Sequence, residues 1–225
     1  MSVQAVDGIV LRLLDHGEKH RIVTFYTPSL GRLTAIARGA RASKSRFGGH
    51  LDLFHCGQAM LKTRSNTHSM AVLTGFTANL PFEKIRQDIV RFATASFWAE
   101  LVFKSTAEGD ASEAQYNLLL NALNCLDESE QGIRRDLILG FQLQWFFAMG
   151  VLPELDDENL HLAQLPSLDD QNLALARALL SGMEIPELDG PLFVKVGALT
   201  RAIRERVIGR QLASVPFLFQ MLSAE

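Results

Sequence analysis

The chain has 225 residues, 48% of them hydrophobic and 21% charged, with a formal net charge of −3. That is enough apolar material for a substantial core in one or two domains, and it excludes a disordered chain. The two cysteines, Cys56 and Cys125, are too few for a four-ligand zinc site or a disulfide framework. No secretory leader or membrane-spanning run is read, so the expected home is a reducing cytoplasm with no membrane partner.

The average charge hides a polarity. Residues 1–80 hold 10 Lys and Arg against 4 Asp and Glu, whereas residues 81–225 hold 12 against 21. Five of the six histidines, His16, His20, His50, His55 and His68, also lie in the first part. A basic unit joined to an acidic one points to two surfaces with different partners.

In chain order, 6–14, 21–26 and 32–38 read as strands, the third with clean apolar alternation. Asp15-His16-Gly17-Glu18 and Thr27-Pro28-Ser29-Leu30-Gly31 lie where hairpin turns belong. Further strands are expected within 51–63 and 69–77. Five short strands in about eighty residues, with turns between them, fit an OB-fold barrel better than an open sheet, with an SH3-like barrel the nearest competitor.

Between the third and fourth strands runs Arg38-Gly39-Ala40-Arg41-Ala42-Ser43-Lys44-Ser45-Arg46. Cations on a chain of Gly, Ala and Ser approach a phosphate without side-chain obstruction, so Arg38, Arg41, Lys44 and Arg46 are candidate contacts to a nucleic-acid backbone. The bland alternative is a solvated loop that guards a barrel edge. Arg32, Lys62 and Arg64 extend the patch if they share its face. Phe47 is read as core packing rather than a base-stacking ring.

After Pro81 the apolar period changes from two to 3.6, which divides the chain into a barrel domain, 1–80, and an all-α domain, 81–225. In the first helix Ile89, Phe92, Ala93, Ser96, Phe97, Glu100, Leu101 and Phe103 outline the buried stripe. The second starts at Ser112, which with Gln115 forms a capping box, and runs to Leu126. A third, 133–149, carries Phe141, Trp145 and Phe146 and is expected at the centre of the helical unit. Residues 152–170 read as acidic and irregular, followed by helices near 170–180 and 191–208 and an apolar tail, 215–222. Cys56 and Cys125 are both read as buried thiols.

Gly8-Ile9-Val10-Leu11-Arg12, then Gly17-Glu18-x-x-Arg21-Ile22-Val23-Thr24-x-x-Thr27, Gly31-Arg32-Leu33 and the basic loop resemble, in order and spacing, the RecO family of bacterial recombination mediators. Ile133-Arg134-Arg135, Met149-Gly150-Val151-Leu152-Pro153 and Gly209-Arg210-x-Leu212-x-Ser214 extend the resemblance over nearly the whole chain. It implies an N-terminal OB fold, a helical C-terminal domain and a non-catalytic protein of DNA repair and recombination. Such a protein binds single- and double-stranded DNA, anneals complementary strands and works with RecR and the single-strand-binding protein SSB to load RecA. It also implies association with the nucleoid during repair. Neutralising phosphates on two strands is a task for cations that read no sequence, and four of them predict a salt slope of roughly −3.

Arg134 and Arg135 are the basic pair between Glu108 and Asp170, and as cations at a helix start they oppose the macrodipole. The resemblance places the site for the acidic C-terminal tail of SSB on this helix, where guanidinium and greasy pocket would meet charge and ring. Pairing with Glu128, Glu130 or Asp136 is the equal alternative. Arg201, Arg204 and Arg210 read as a solvated helical face rather than a second DNA surface.

Many family members carry a four-cysteine zinc module after the Gly-x-x-Pro segment; here Glu154-Leu155-Asp156-Asp157-Glu158-Asn159-Leu160-His161 follows instead, so no zinc and no cofactor are expected. No phosphate-binding loop, nucleophile elbow or His-Glu-x-x-His helix is present, so no enzyme is expected. A metal-dependent nuclease using Asp156, Asp157 and Glu158 and a protein adaptor that binds no DNA are the contrasting readings.

Overall fold

The computed structural model describes residues 2–41, 47, 51–63, 70–80, 82–130, 135–185 and 188–223. Strands β1 (Ser2–His16), β2 (His20–Thr27), β3 (Gly31–Ala37), β4 (Cys56–Thr63) and β5 (Ala71–Leu80) close a barrel in the order β1-β2-β3-β5-β4. Neighbours are antiparallel except β3 and β5, which pair parallel through Ala35–Ala37 and Ala71–Leu73. This is the OB-fold arrangement.

β1 is longer than its sequence pattern because it serves two partners, β4 along its first half and β2 along its second. The pairing with β2 slips between Val10 and Arg12. That extra residue lets Val10 and Leu13 both face the barrel interior while Leu11 faces the helices, a change of side that strict alternation forbids. The expected strand at 51–63 starts only at Cys56, since Leu53-Phe54 form a turn with Phe54 at a positive φ of 65°. Phe47 is 5% exposed within the barrel core, as the sequence reading holds.

A short helix, α1 (Glu83–Gln87), then α2 (Ile89–Ser105), α3 (Glu113–Glu128), α4 (Arg135–Ala148), α5 (Asp157–Leu162), α6 (Asp170–Leu180), α7 (Gly190–Ile208) and α8 (Ser214–Ser223) complete the chain. Asp88, Ser112, Asp156, Asp169 and Asp189 cap helix N-termini by accepting backbone N–H bonds. The Ser112 hydroxyl accepts from the Gln115 amide N–H, but the other arm of the expected capping box is not made. The Gln115 side chain instead accepts from the Tyr26 hydroxyl at 2.8 Å and donates to the Ala148 carbonyl at 3.3 Å.

Several sequence readings are corrected here. α2 is buried nearly all round, with Trp98 and Val102 at its centre and Ile89 56% exposed, because barrel, α3 and α8 press on it from different sides. Cys125 is exposed: Tyr116, Leu119, Leu123 and Leu126 form the inner face of α3 and turn it outward. The acidic 152–170 segment contains a helical turn, α5, which Asp156 caps. Arg204 is only 6% exposed, far from a solvated position.

The barrel and helices share one continuous core. Ile9, Leu11, Tyr26, Phe54 and Cys56 of the barrel side belong to the same cluster as Trp98, Trp145 and Leu199. Tyr26 meets Trp145 edge-on at 6.0 Å, and Cys56 Sγ lies 3.3 Å from the Tyr116 hydroxyl. Burial, with Asp110 nearby, pushes the Tyr26 hydroxyl up to about 12. Burial also raises Tyr116, so both phenols stay protonated donors.

Glu100 of α2 holds the start of α8, accepting from the Ala213 N–H at 3.0 Å, the Ser214 N–H at 2.8 Å and the Ser214 hydroxyl at 2.6 Å. Partial burial pushes this carboxyl up, but the hydrogen bonds from Ser214 and Ala213, with Lys104, outweigh it and leave it below the ordinary glutamate value. A carboxyl lowered on folding stabilises the fold above the unfolded value, about pH 4.3, and that stabilisation fades as pH falls through the lower folded value. Urea melts of Glu100→Gln should therefore show a deficit at pH 7 that narrows below pH 4.

Gly31, at φ 61°, closes the β2–β3 turn against the backbone of Asp110; a Cβ there would stand 2.2 Å from the Asp110 carbonyl oxygen. Gly31→Ala should lower unfolding stability by more than about 2 kcal/mol, measured by chemical denaturation.

Candidate nucleic-acid interface

The outward face of the barrel follows from register. On β3, Leu33, Ala35 and Ala37 belong to the barrel core, so Arg32, Thr34, Ile36 and, just past the strand, Arg38 point the other way. Ile36 pairs with Val72, and Val72 with Lys62, so Lys62 lies two strands from Ile36, about 10 Å across the sheet. Arg38 is exposed. Arg38 and Lys62 thus mark one end of the barrel, and Arg32, six residues before Arg38, stands about 20 Å away at the other end.

The beginning of the basic loop is stapled to the β1–β2 turn. The Arg41 backbone N–H donates to the Lys19 carbonyl at 3.1 Å, its guanidinium to the Gly17 carbonyl at 3.2 Å, and the Gly39 N–H to His20 Nδ1 at 3.1 Å. Arg41 and Arg21 share Asp15, at 3.5 and 3.2 Å. The turn therefore brings Lys19 and Arg21 to the same end, two cations the sequence reading did not include in the patch. Only the hairpin register could have found them. Lys44, Arg46 and Arg64 lie outside the described residues, as does Arg134.

Arg32 behaves differently. Its Nε donates to the Thr106 carbonyl at 3.1 Å, and its guanidinium sits 4.9 Å from the centroid of the Phe103 ring. Arg12 of β1 lies 5.1 Å from the same centroid, and Lys104 Nζ 5.1 Å. Each such contact is worth about 0.5–1 kcal/mol at a partly exposed site, enough to orient a cation but not to neutralise it. Among the described residues none of these three is in an ion pair. A groove of about 430 Å³ beside them is lined by Leu11, Leu53, Phe54 and Phe103.

A second groove, about 410 Å³, runs between α4, α7 and α8, with Ile138, Leu139, Phe193 and Leu218 as apolar walls and Arg201 and Arg204 beside them. Arg204 Nη1 donates to Gln142 Oε1 at 2.9 Å, its plane lies 5.4 Å from Phe97, and its buried Nε has no hydrogen-bond partner among the described residues. Burial pulls its pKa down from the usual arginine value. Arg135 stands 5.8 Å from the Phe193 ring that lines this groove.

The acidic residues of the nuclease reading are otherwise engaged or spread: Asp156 accepts from the Asn159 N–H at 2.7 Å as a helix cap, while Asp157 and Glu158 are exposed on α5. Among the described residues no group of three or more His, Cys, Asp or Glu is placed to hold a metal ion, and no helix is long and apolar enough to cross a membrane. Replacing Arg204 by Ala should cost about 2–4 kcal/mol of stability in denaturant titration, because it strands Gln142 and opens a void against Phe97.

Residues 1–77 match the family model described as Recombination protein O N terminal, and residues 86–164 the one described as Recombination protein O C terminal. The protein named DNA repair protein RecO of Anaeromyxobacter dehalogenans (strain 2CP-1 / ATCC BAA-258) is 36% identical over 161 residues, 69% of this chain and 60% of that one. The protein of the same name from Desulfatibacillum aliphaticivorans is 33% identical over 157 residues, again 69% and 60%. That of Roseiflexus sp. (strain RS-1) is 35% identical over 154 residues, 68% of this chain and 52% of its own. The chain thus spans between half and three-fifths of the length of these relatives.

Proposed function

The chain belongs to the RecO family, and from that premise we propose that it is a non-catalytic recombination mediator. In this reading it binds single- and double-stranded DNA, anneals complementary strands and acts with RecR and SSB to load RecA. The observation that carries the DNA-binding reading is the gathering of Arg38, Arg41, Lys19, Arg21 and Lys62 at one end of an OB barrel in a chain of net charge −3. OB folds take oligonucleotides across the β2–β3 face and the loops at its margin. The strands supply the frame, and Arg38, Arg41, Lys44 and Arg46 with Lys62 and Arg64 supply the charge; Arg32 contributes from the junction. Work of this kind takes place at the nucleoid, in the cytoplasm.

Asp15 tempers the patch by pairing with Arg21 and Arg41. These pairs are more than one-third exposed, so they contribute little to stability, but their carboxylate stands where a phosphate would come.

The tail of SSB, acidic and ending in a ring, suits the groove between α4, α7 and α8. Its apolar walls accept the ring, and Arg201, Arg204 and Arg135, with Arg134, accept the carboxylates. The unsatisfied Arg204 Nε is the particular feature that favours an anionic occupant.

Fluorescence anisotropy of a labelled single-stranded oligonucleotide against salt tests the DNA reading. Wild type should show a log-log slope of roughly −3, and Arg41, Lys44 and Arg46 together changed to Ala should reduce it by about 2 units. Asp15→Asn should tighten binding a fewfold at low salt. Salt-insensitive anisotropy would point to the protein-adaptor reading, and magnesium-dependent cleavage of the oligonucleotide to the nuclease.

A further inference from the structure

We propose that Arg12, Arg32 and Lys104, gathered around Phe103 at the junction of barrel and helices, form a second DNA-backbone site that holds one strand while the loop end of the barrel holds its complement. The proposal rests on the DNA-binding reading above and adds to it a place for the second strand.

Three observations carry it. Each cation lies about 5 Å from one ring centroid, so any two are within about 10 Å, and that span matches a run of about three phosphates of a strand. Among the described residues none of the three is in an ion pair, and Glu100, which acts on Lys104 from one turn away, is already held by the Ala213 and Ser214 donors, whereas Arg21 and Arg41 share Asp15 at the other end. Like charges held together in this way are relieved by an external polyanion.

The third observation decides between one long path and two separate sites. Along the outward face of β3, between Arg32 and Arg38, the Thr34 hydroxyl donates to Glu108 Oε1 at 2.9 Å. Glu108 also bridges to β3 through Gly31 and Arg32. A phosphate backbone running straight from Arg38 to Arg32 would meet that carboxylate. The two cationic ends are therefore separated by a negative charge, and each suits its own strand. With three cations about 5 Å from its centroid, Phe103 orients charged groups rather than stacking on a base, so the site reads backbone and not sequence.

The test compares wild type with the double variant Arg12→Gln, Lys104→Gln, checked for folding by its thermal melt. Anisotropy follows capture of one oligonucleotide; stopped-flow energy transfer between labelled complementary strands follows annealing. The variant should bind a single oligonucleotide within about twofold of wild type and anneal about tenfold more slowly, with a shallower salt dependence of the annealing step. Should the double variant melt early, Lys104→Gln alone should give the same selective loss at about threefold. Annealing at the wild-type rate, or parallel loss of both readouts, overturns the proposal while leaving DNA binding intact as a property of wild type. A wild type that binds no oligonucleotide overturns the DNA reading itself. Polyglutamate that binds wild type and not the variant, with annealing unchanged, also overturns it and assigns the site to an acidic protein partner.

Discussion

Everything else in this molecule depends on one flank of the barrel having no water beside it. Tyr26, Cys56, Phe54, Ile9 and Leu11 face helices rather than solvent, and they join the helical residues in one core. An OB barrel of five strands has a thin interior, here 13 buried residues among those described, most of them small or β-branched apart from three phenylalanines. The outer flank supplies the rest. Tyr26 shows how closely the two halves are fitted: its ring packs on Trp145 and its hydroxyl takes the side chain that would otherwise have completed the α3 cap.

That burial also sorts the charges. With one flank sealed, cations on β1, β2 and β3 have two places left, the turn-and-loop end and the rim where strands meet α2. Arg38, Arg41, Lys19 and Arg21 go to the first. Arg12 and Arg32 go to the second, where Phe103 and the Thr106 carbonyl fix them. The helical half places its guanidiniums otherwise. Arg204 is drawn inward by Gln142 beneath a groove, and Arg91 is spent on the carbonyls of Leu126, Asp127 and Ser129 that end α3.

Legibility differed by element for physical reasons. β3 reads correctly because its two faces meet different media, barrel core and exterior, so alternation survives in the residue types. β1 reads short because its ends, 2–5 and 15–16, are held in the sheet by pairing with β4 and β2, and pairing with a separate strand leaves no period-two mark on so few residues. α2 misleads because a helix pressed on from several sides has no polar stripe, so Trp98 is missed and Ile89 is assigned inward. Cys125 and Arg204 fail together for a related reason: small thiols and long guanidiniums are found on either side of a helix surface, and only neighbours from other elements fix which. In the candidate site the basic loop stands out as a run of residues, whereas Arg12, Lys19, Arg21 and Lys104 stay inconspicuous as isolated cations in strands, a turn and a helix.

The sequence by itself determined the barrel-then-helices order, the basic loop and the resemblance to a family, because strand alternation, helical periodicity and charge runs are local and each residue carries its part of the signal. The tertiary structure alone decided which cations share a surface. Arg32 and Arg38 are six residues apart on one face and yet serve opposite ends, while Arg12, Arg32 and Lys104 are far apart in the chain and converge on one ring. Convergence of that kind is set by strand register and by the angle at which α2 meets the barrel, quantities that depend on packing among all the elements and leave no mark on any one stretch of residues.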